Sequence, residues 1–454
     1  MKQQVKLTLL YAVVLLILFS ACKKEESSVP STIQTVTDDY PADYNAEARG
    51  EPAAKATAEV PLAWYKLSIN LIRVAPGQAT GPVFTRAYGY IGLALYESVV
   101  PGMPIYKSIQ KQLNGLPPLP HADILKRYYY PACANAALAS ILHYMYGNTS
   151  PEQNYTIDSL ENVFYTSFQS MAPKEVLDRS VSFGKAIAAA IYDWSKSDGG
   201  DQAYLNLFPP YTLPVGPGLW VPQPGQAALL PYWGTNRTFI ADIATNTQPP
   251  RPIPYSTNPK SEFYKEELQV YKESINQDPD HKAAALYWAS IPGTSVDIVS
   301  SVLTNKSSNL ATAAEAYCKV GIAMADAVVS CWITKYKYTQ ERPITYIKAN
   351  FDTGWIPVLG TPPYPDYSSG YTIQNSASLT VLADMFGNNT TFTSPYVNSL
   401  GFPPRVFDRF SACALEVARS RFYGGIHILS SCYVAIEEGE RVGAHVNALR
   451  FKRM

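Results

Sequence analysis

Histidine is scarce in this chain and charge is thin. There are only 5 His, and His121, His143, His281 and His445 show no HxxH or HExxH spacing, which argues against a zinc centre. No Gly-x-Ser-x-Gly occurs, so the nucleophile elbow of a serine hydrolase is missing. Charged residues make up 16%, with Lys plus Arg and Asp plus Glu both at 37. Without a basic stripe, no nucleic-acid partner is expected. Beyond Cys22, the five cysteines Cys133, Cys318, Cys331, Cys413 and Cys432 are odd in number and lack metal spacing; they are expected to be buried small apolar residues. Past the N-terminus no apolar run suggests a membrane-crossing segment.

What the N-terminus does hold is a processing signal. Lys2 and Lys6 precede an apolar run, Leu7 to Phe19, then Ser20, Ala21 and Cys22. This order resembles a lipobox, with Cys22 lipidated as the first mature residue; an ordinary signal peptide with an incidental Cys is the alternative. Removing the two lysines leaves a net charge near 35 − 37 = −2. Lys23-Lys24-Glu25-Glu26 resembles a surface-export tag. The expected location is the cell envelope, as an outer-membrane lipoprotein held by its N-terminal lipid, with surface exposure left open.

Residues 1–21 are thus expected to be a signal peptide and 22–60 a flexible Ser/Thr/Ala/acid-rich tether. Residues 61–454 form the folded domain, with a homodimer left open. Its N-terminal part, 61–203, holds helical patterns at Trp64 to Val74, Phe84 to Val99, Cys133 to Met145 and Val181 to Trp194. Residues 204–260 are rich in Pro, which no helix can run through; a wrap covering part of a cleft is expected. Helical spacing returns in 261–454, at Ser261 to Ile275, His281 to Ser290, Leu310 to Tyr338, Thr372 to Phe386, Val406 to Arg421 and Val434 to Arg450. Strand alternation is rare, so the fold class is mainly α: a large helical bundle with long loops.

Three motifs could build one anion pocket. Lys335-x6-Arg342-Pro343 ends a helix that Pro343 is expected to stop, and pairs a point charge with a guanidinium fork. Taken alone, such residues are ordinary dipole partners. Pro363-Tyr364-Pro365-Asp366-Tyr367-Ser368-Ser369-Gly370-Tyr371 places Ser369 and Gly370 at a helix N-terminus, where an anion or a plain N-cap fits. In Ser420-Arg421-Phe422-Tyr423-Gly424-Gly425-Ile426-His427, Arg421 continues an apolar stripe of Phe407, Phe410, Ala414 and Val417. Such a buried guanidinium needs a negative partner, a carboxylate or an oxyanion. The Gly-Gly break would turn His427 into a cleft.

In this order and spacing, the motifs resemble the signature of the vanadium haloperoxidase and type-2 acid phosphatase superfamily. Ala94-Leu95-Tyr96-Glu97-Ser98, Asp198-Gly199-Gly200, Gly216-Pro217-Gly218-Leu219-Trp220 and Ala325-Asp326-Ala327 are similar to its soluble bacterial haloperoxidase-like branch, so the likeness runs over residues 60 to 450. The resemblance implies that Lys335, Arg342, Ser369, Gly370 and Arg421 bind phosphate or vanadate oxygens. It makes His427 the nucleophile or axial vanadate ligand, and puts Trp332 and Tyr364 in the pocket lining; core packing is the alternative for those two.

Two departures stand out. The family's Ser-Gly is followed by His, here Tyr371, so the acid–base position holds a phenol of pKa near ~10. The carboxylate expected four residues beyond the His is Ser431, which predicts an imidazole without an orienting acid. The sequence therefore implies a haloperoxidase- or phosphatase-like enzyme of altered activity, acting on a small-molecule substrate or phosphate. A non-catalytic oxyanion-binding lipoprotein is the alternative. A glycan-handling surface protein ranks third, without a recognisable carboxylate pair.

Overall fold

The computed structural model describes residues 52–205, 209–289, 293–394 and 402–453. The expected signal peptide and Cys22 lie outside them. Thirteen helices of eight residues or more carry this part of the chain: α1 Glu59–Val74, α2 Gly81–Val99, α3 Tyr130–Met145, α4 Pro151–Phe168, α5 Lys174–Ser195, α6 Glu262–Ile275, α7 Pro279–Ala289, α8 Thr294–Asn305, α9 Leu310–Tyr338, α10 Pro343–Asn350, α11 Gly370–Phe386, α12 Phe410–Tyr423 and α13 Leu429–Asn447. A short antiparallel pair, β1 Phe392–Ser394 and β2 Arg405–Phe407, is the sheet seen. The fold is mainly α, as expected.

The long helix α9 is the spine, packed against α2 on one side and α11 on another. Its crossing with α2 is close because both helices carry a glycine there. A Cβ on Gly92 would stand 2.5 Å from the Tyr317 carbonyl oxygen, and one on Gly321 would stand 2.3 Å from that of Tyr88. By length and composition α9 could cross a membrane, contrary to the expectation that no later stretch could. But 94% of its apolar window is buried inside the protein, so it is a core helix. The five cysteines are buried and unbridged.

Several boundaries differ from the sequence reading. Folded structure begins upstream of Pro61: Ala53, Ala58 and Val60 are buried, and Thr57 bridges to Asn309. Val406 to Phe407 is strand rather than helix, because it pairs with β1. The sequence reading overlooked α4, although Ser150 and Gln153 cap it reciprocally and Pro151 opens it. Pro343 does not stop α9. That helix ends at Tyr338, with Thr339 left-handed, and Pro343 then starts α10 with Arg342 as its N-cap.

The Pro-rich wrap lies on α9 and on the loops that follow it. Buried Asp326 accepts the N–H groups of Phe239 (2.7 Å) and Ile240 (3.0 Å). Trp220 N–H donates to the Thr339 carbonyl, Glu341 N–H to that of Gly218, and Leu229 N–H to that of Pro363. The wrap therefore braces both loops that carry the pocket motifs. Beneath them, Phe263, Ile347, Trp355, Phe422 and Ile428 form an apolar cluster that fixes α6, α10, α12 and the residue next to His427.

Candidate active site

The last two turns of α9 carry Trp332 and Lys335, and the loop after them presents Arg342. Lys335, Arg342 and Ser369 are fully buried, His427 and Arg421 nearly so. Tyr364 sits among them. Its ring lies 5.1 Å from that of Trp332, 5.0 Å from Lys335 Nζ and 5.0 Å from Arg342 Cζ. Trp332 and Tyr364 thus do line the cluster, and both also pack.

Lys335 does something the sequence did not suggest. Its ammonium donates to the carbonyls of Pro365 (2.9 Å), Asp366 (3.0 Å) and Ser368 (2.5 Å). It shapes the loop before α11, and its three donors are all engaged there. Burial lowers it to about 8, and Arg342 pushes the same way. Arg342 donates from Nε to the Tyr364 carbonyl and from Nη1 to that of Ile426, at 2.6 Å. Its Nη2 is buried without a protein partner. Arg421, in the last turn of α12, reaches Ser420 Oγ (3.1 Å) and the Ala285 carbonyl (3.3 Å), and its Cζ stands 4.9 Å over the Tyr371 ring. No carboxylate pairs with it among the described residues.

His427 follows the turn that ends α12, where Gly425 has φ +73° and Ile426 N–H returns to the Arg421 carbonyl. The expectation of an imidazole without an orienting acid is overturned. Asp366 supplies the carboxylate: its Oδ1 lies 2.5 Å from His427 Nδ1. Ser431 stands where an acid was sought, and its hydroxyl donates to Asp366 Oδ2 at 2.5 Å; the Gln340 amide donates to the same oxygen at 3.0 Å. Asp366 was in plain view within the quoted loop, but only the fold brings it to an imidazole 61 positions later. Arg342 Nη1 lies 3.1 Å from His427 Nε2 and can only donate, so the ring proton sits on Nδ1 and Nε2 keeps its lone pair. Burial holds His427 down to about 3, with Arg342 and Lys335 adding to it against Asp366. Burial pushes the Asp366 carboxyl up, but His427, Arg342 and Ser431 bring it below its ordinary value.

Gly370 opens α11 beside this group; a Cβ there would lie 3.3 Å from Trp332 and 3.6 Å from Lys335 Cε. Among the described residues nothing accepts from the N–H groups of Gly370, Tyr371 or Thr372. Ser369 Oγ is 2.8 Å from Thr372 Oγ1. Tyr371 turns its hydroxyl to Thr294 Oγ1 at 3.0 Å. A cleft of about 180 Å³ near Gln78, Tyr144 and Tyr204 shares no lining residue with this cluster.

The second helical-bundle domain of the VCPO family matches residues 315–453, which hold every one of these site residues. The fold is similar to that of a bacterial vanadium-dependent iodoperoxidase: TM-score 0.78, 29% identity, 88% of this chain and 98% of that one. The chain belongs to the vanadium haloperoxidase superfamily. Holo and apo bacterial vanadium-dependent chloroperoxidases share the fold at TM-scores of 0.64 and 0.63, with 17% and 18% identity. They cover 83% and 82% of this chain and 93% and 95% of their own. No curated protein sequence matches the chain.

The residues present fit a tetrahedral oxyanion such as vanadate. Of three buried cations, Lys335 and Arg342 face Asp366, and Lys335 also feels Glu438, whose carboxyl burial raises to about 7; Arg421 faces no carboxylate among the described residues. An excess of buried positive charge, the unpartnered Arg342 Nη2, a helix N-terminus with open N–H groups and an unprotonated imidazole nitrogen beside Arg342 are complementary to such an anion.

Proposed function

We propose that this chain is a vanadium-dependent peroxidase that oxidises halide, iodide first, at the Lys335, Arg342, Ser369, Gly370, Arg421 and His427 pocket. The observation that carries the proposal is the neutral His427, whose unprotonated Nε2 accepts from Arg342 Nη1 at 3.1 Å among buried cations. That nitrogen can bind the anion once Arg342 Nη1 turns to an anion oxygen, with Arg421 and the α11 N-terminus holding the other oxygens. Vanadate held there would supply the Lewis acidity that activates peroxide. Asp366 keeps the imidazole proton on Nδ1, and Lys335 keeps the loop in place. Iodide gives up electrons most readily among the common halides, so it asks least of a site without an imidazole at position 371. Phosphomonoester hydrolysis fits less well, because a leaving alkoxide needs a proton donor there, and losing a general acid costs ~10²–10⁴ in rate. We also assign the chain to the cell envelope as a lipoprotein anchored at Cys22.

Calorimetric titration of the purified protein with vanadate and phosphate, followed by triiodide formation from iodide and hydrogen peroxide, tests this reading. Vanadate binding with turnover is expected. Binding without turnover would favour the non-catalytic oxyanion-binding alternative, and no binding of either anion would overturn the pocket itself.

A further inference from the structure

Tyr371 stands where the family's acid–base histidine stands, and its surroundings describe a different task. Its hydroxyl is directed at Thr294 Oγ1 (3.0 Å), at the start of α8. Its ring, in the first turn of α11, lies 4.9 Å below the Arg421 guanidinium carbon. Among the described residues Arg421 otherwise holds its neighbour's hydroxyl, Ser420 Oγ, and the Ala285 carbonyl at 3.3 Å. The titratable groups felt by this pair are Tyr364, Cys413 and Cys432, all raised above their ordinary values by burial and so uncharged at neutral pH. Among the described residues no carboxylate pairs with the guanidinium, and a protonated imidazole at 371 would repel it. A phenol ring instead offers a negative face and no charge.

We infer that Tyr371 is a positioning residue: its ring face holds the Arg421 guanidinium for the bound oxyanion, and its hydroxyl takes no part in proton transfer. This deepens the pocket reading above and rests on it. The ring matters and the hydroxyl does not, so Tyr371→Phe and Tyr371→Leu separate the two; Leu fills the volume without a π face. In calorimetric titrations with vanadate and with phosphate, Tyr371→Phe is expected to lose no more than about threefold in affinity. Tyr371→Leu is expected to lose about thirtyfold, the size of a desolvated cation–π contact. Adding Tyr371→Leu to Arg421→Ala should weaken binding no further, because the effect runs through Arg421. The pH profile of iodide oxidation by Tyr371→Phe should parallel that of the parent protein. Phe as weak as Leu, additive losses in the double variant, or a displaced profile would each overturn the assignment. The Arg421 Nε–H proton resonance gives a readout without any anion: it should move between the parent protein and Tyr371→Leu, and a fixed resonance would refute the contact. A parent protein with that shift but no affinity for either anion would instead sink the pocket reading and leave Tyr371 a packing residue.

Discussion

Two guanidinium sites in this molecule, one partly buried and one buried, are built on opposite plans. In the N-terminal half, Arg86 donates from Nε to Asp198 at 2.7 Å and from Nη2 to the Ser195 carbonyl, and Tyr90 and the Gly200 N–H donate to the same carboxylate group. That charge is closed: every strong partner is protein. At the pocket, Arg421 has carbonyl, hydroxyl and ring contacts but no carboxylate, and Arg342 leaves Nη2 without a partner, with Asp366 at 3.8 Å from Nη1. Burying a cation without an opposing charge is costly. A fold that pairs one guanidinium fully and leaves two incomplete is storing that cost where a ligand can relieve it.

Breaking each site should therefore have opposite consequences, and this is the largest expected effect. Arg86→Met strands a buried Asp198 and is expected to destabilise the fold by about 3–5 kcal/mol in denaturant unfolding. Arg421→Met removes an uncompensated charge, so unfolding should be near neutral or shifted toward greater stability. Its cost should fall on anion binding, on the order of 10²-fold in vanadate affinity. Equal destabilisation by both substitutions would erase the contrast. Next in size, Asp366→Asn keeps the shape of the loop but removes the negative charge and leaves one acceptor oxygen for both His427 and the Ser431–Gln340 pair. Loss of such an outer partner typically costs ~10–100-fold, so vanadate affinity measured by calorimetry should drop by that much. An unchanged affinity would mean that the imidazole is oriented by other contacts.

How far this could be read from the sequence follows the same division. Helix periodicity gave α9 its span, Leu310 to Tyr338, because burial on all sides leaves a long apolar pattern, although Pro343 does not stop it. The three motifs named Lys335, Arg342, Ser369, Gly370, Arg421 and His427, and the fold brings them together. Partners across the chain stayed hidden. Asp366 and Ser431 are 65 positions apart, and no local pattern says that one hydroxyl pins the other's carboxylate. One turn after His427 stands Ser431, and nothing local to it points to Asp366. Nor could spacing show that the Lys335 donors turn to loop carbonyls, since that depends on where Pro365 and Ser368 fold back.

The smallest effect sharpens the comparison from a third buried group. Glu438 on α13 accepts from Ser330 Oγ and Ser368 Oγ, both at 2.7 Å, and so ties α9 to the loop that Lys335 also holds. Burial raises its carboxyl from the ordinary 4.5 to about 7, against the pull of both serines, Arg441 and Lys335. A carboxyl raised in this way favours the folded state while protonated. Its contribution is complete below about pH 4.5 and is lost as pH rises through 7. Glu438→Gln can accept one of those hydroxyl hydrogen bonds through its carbonyl and carries no charge at any pH. The substitution should leave Tm near its parent value at pH 5 and raise it by about 1–3 °C at pH 8, flattening the slope between them. A variant less stable at both pH values would mean that the second serine needs a carboxylate oxygen more than the interior needs neutrality. Glu438 would then belong with Asp198, as a charge the fold keeps paired, rather than with the open cations of the pocket.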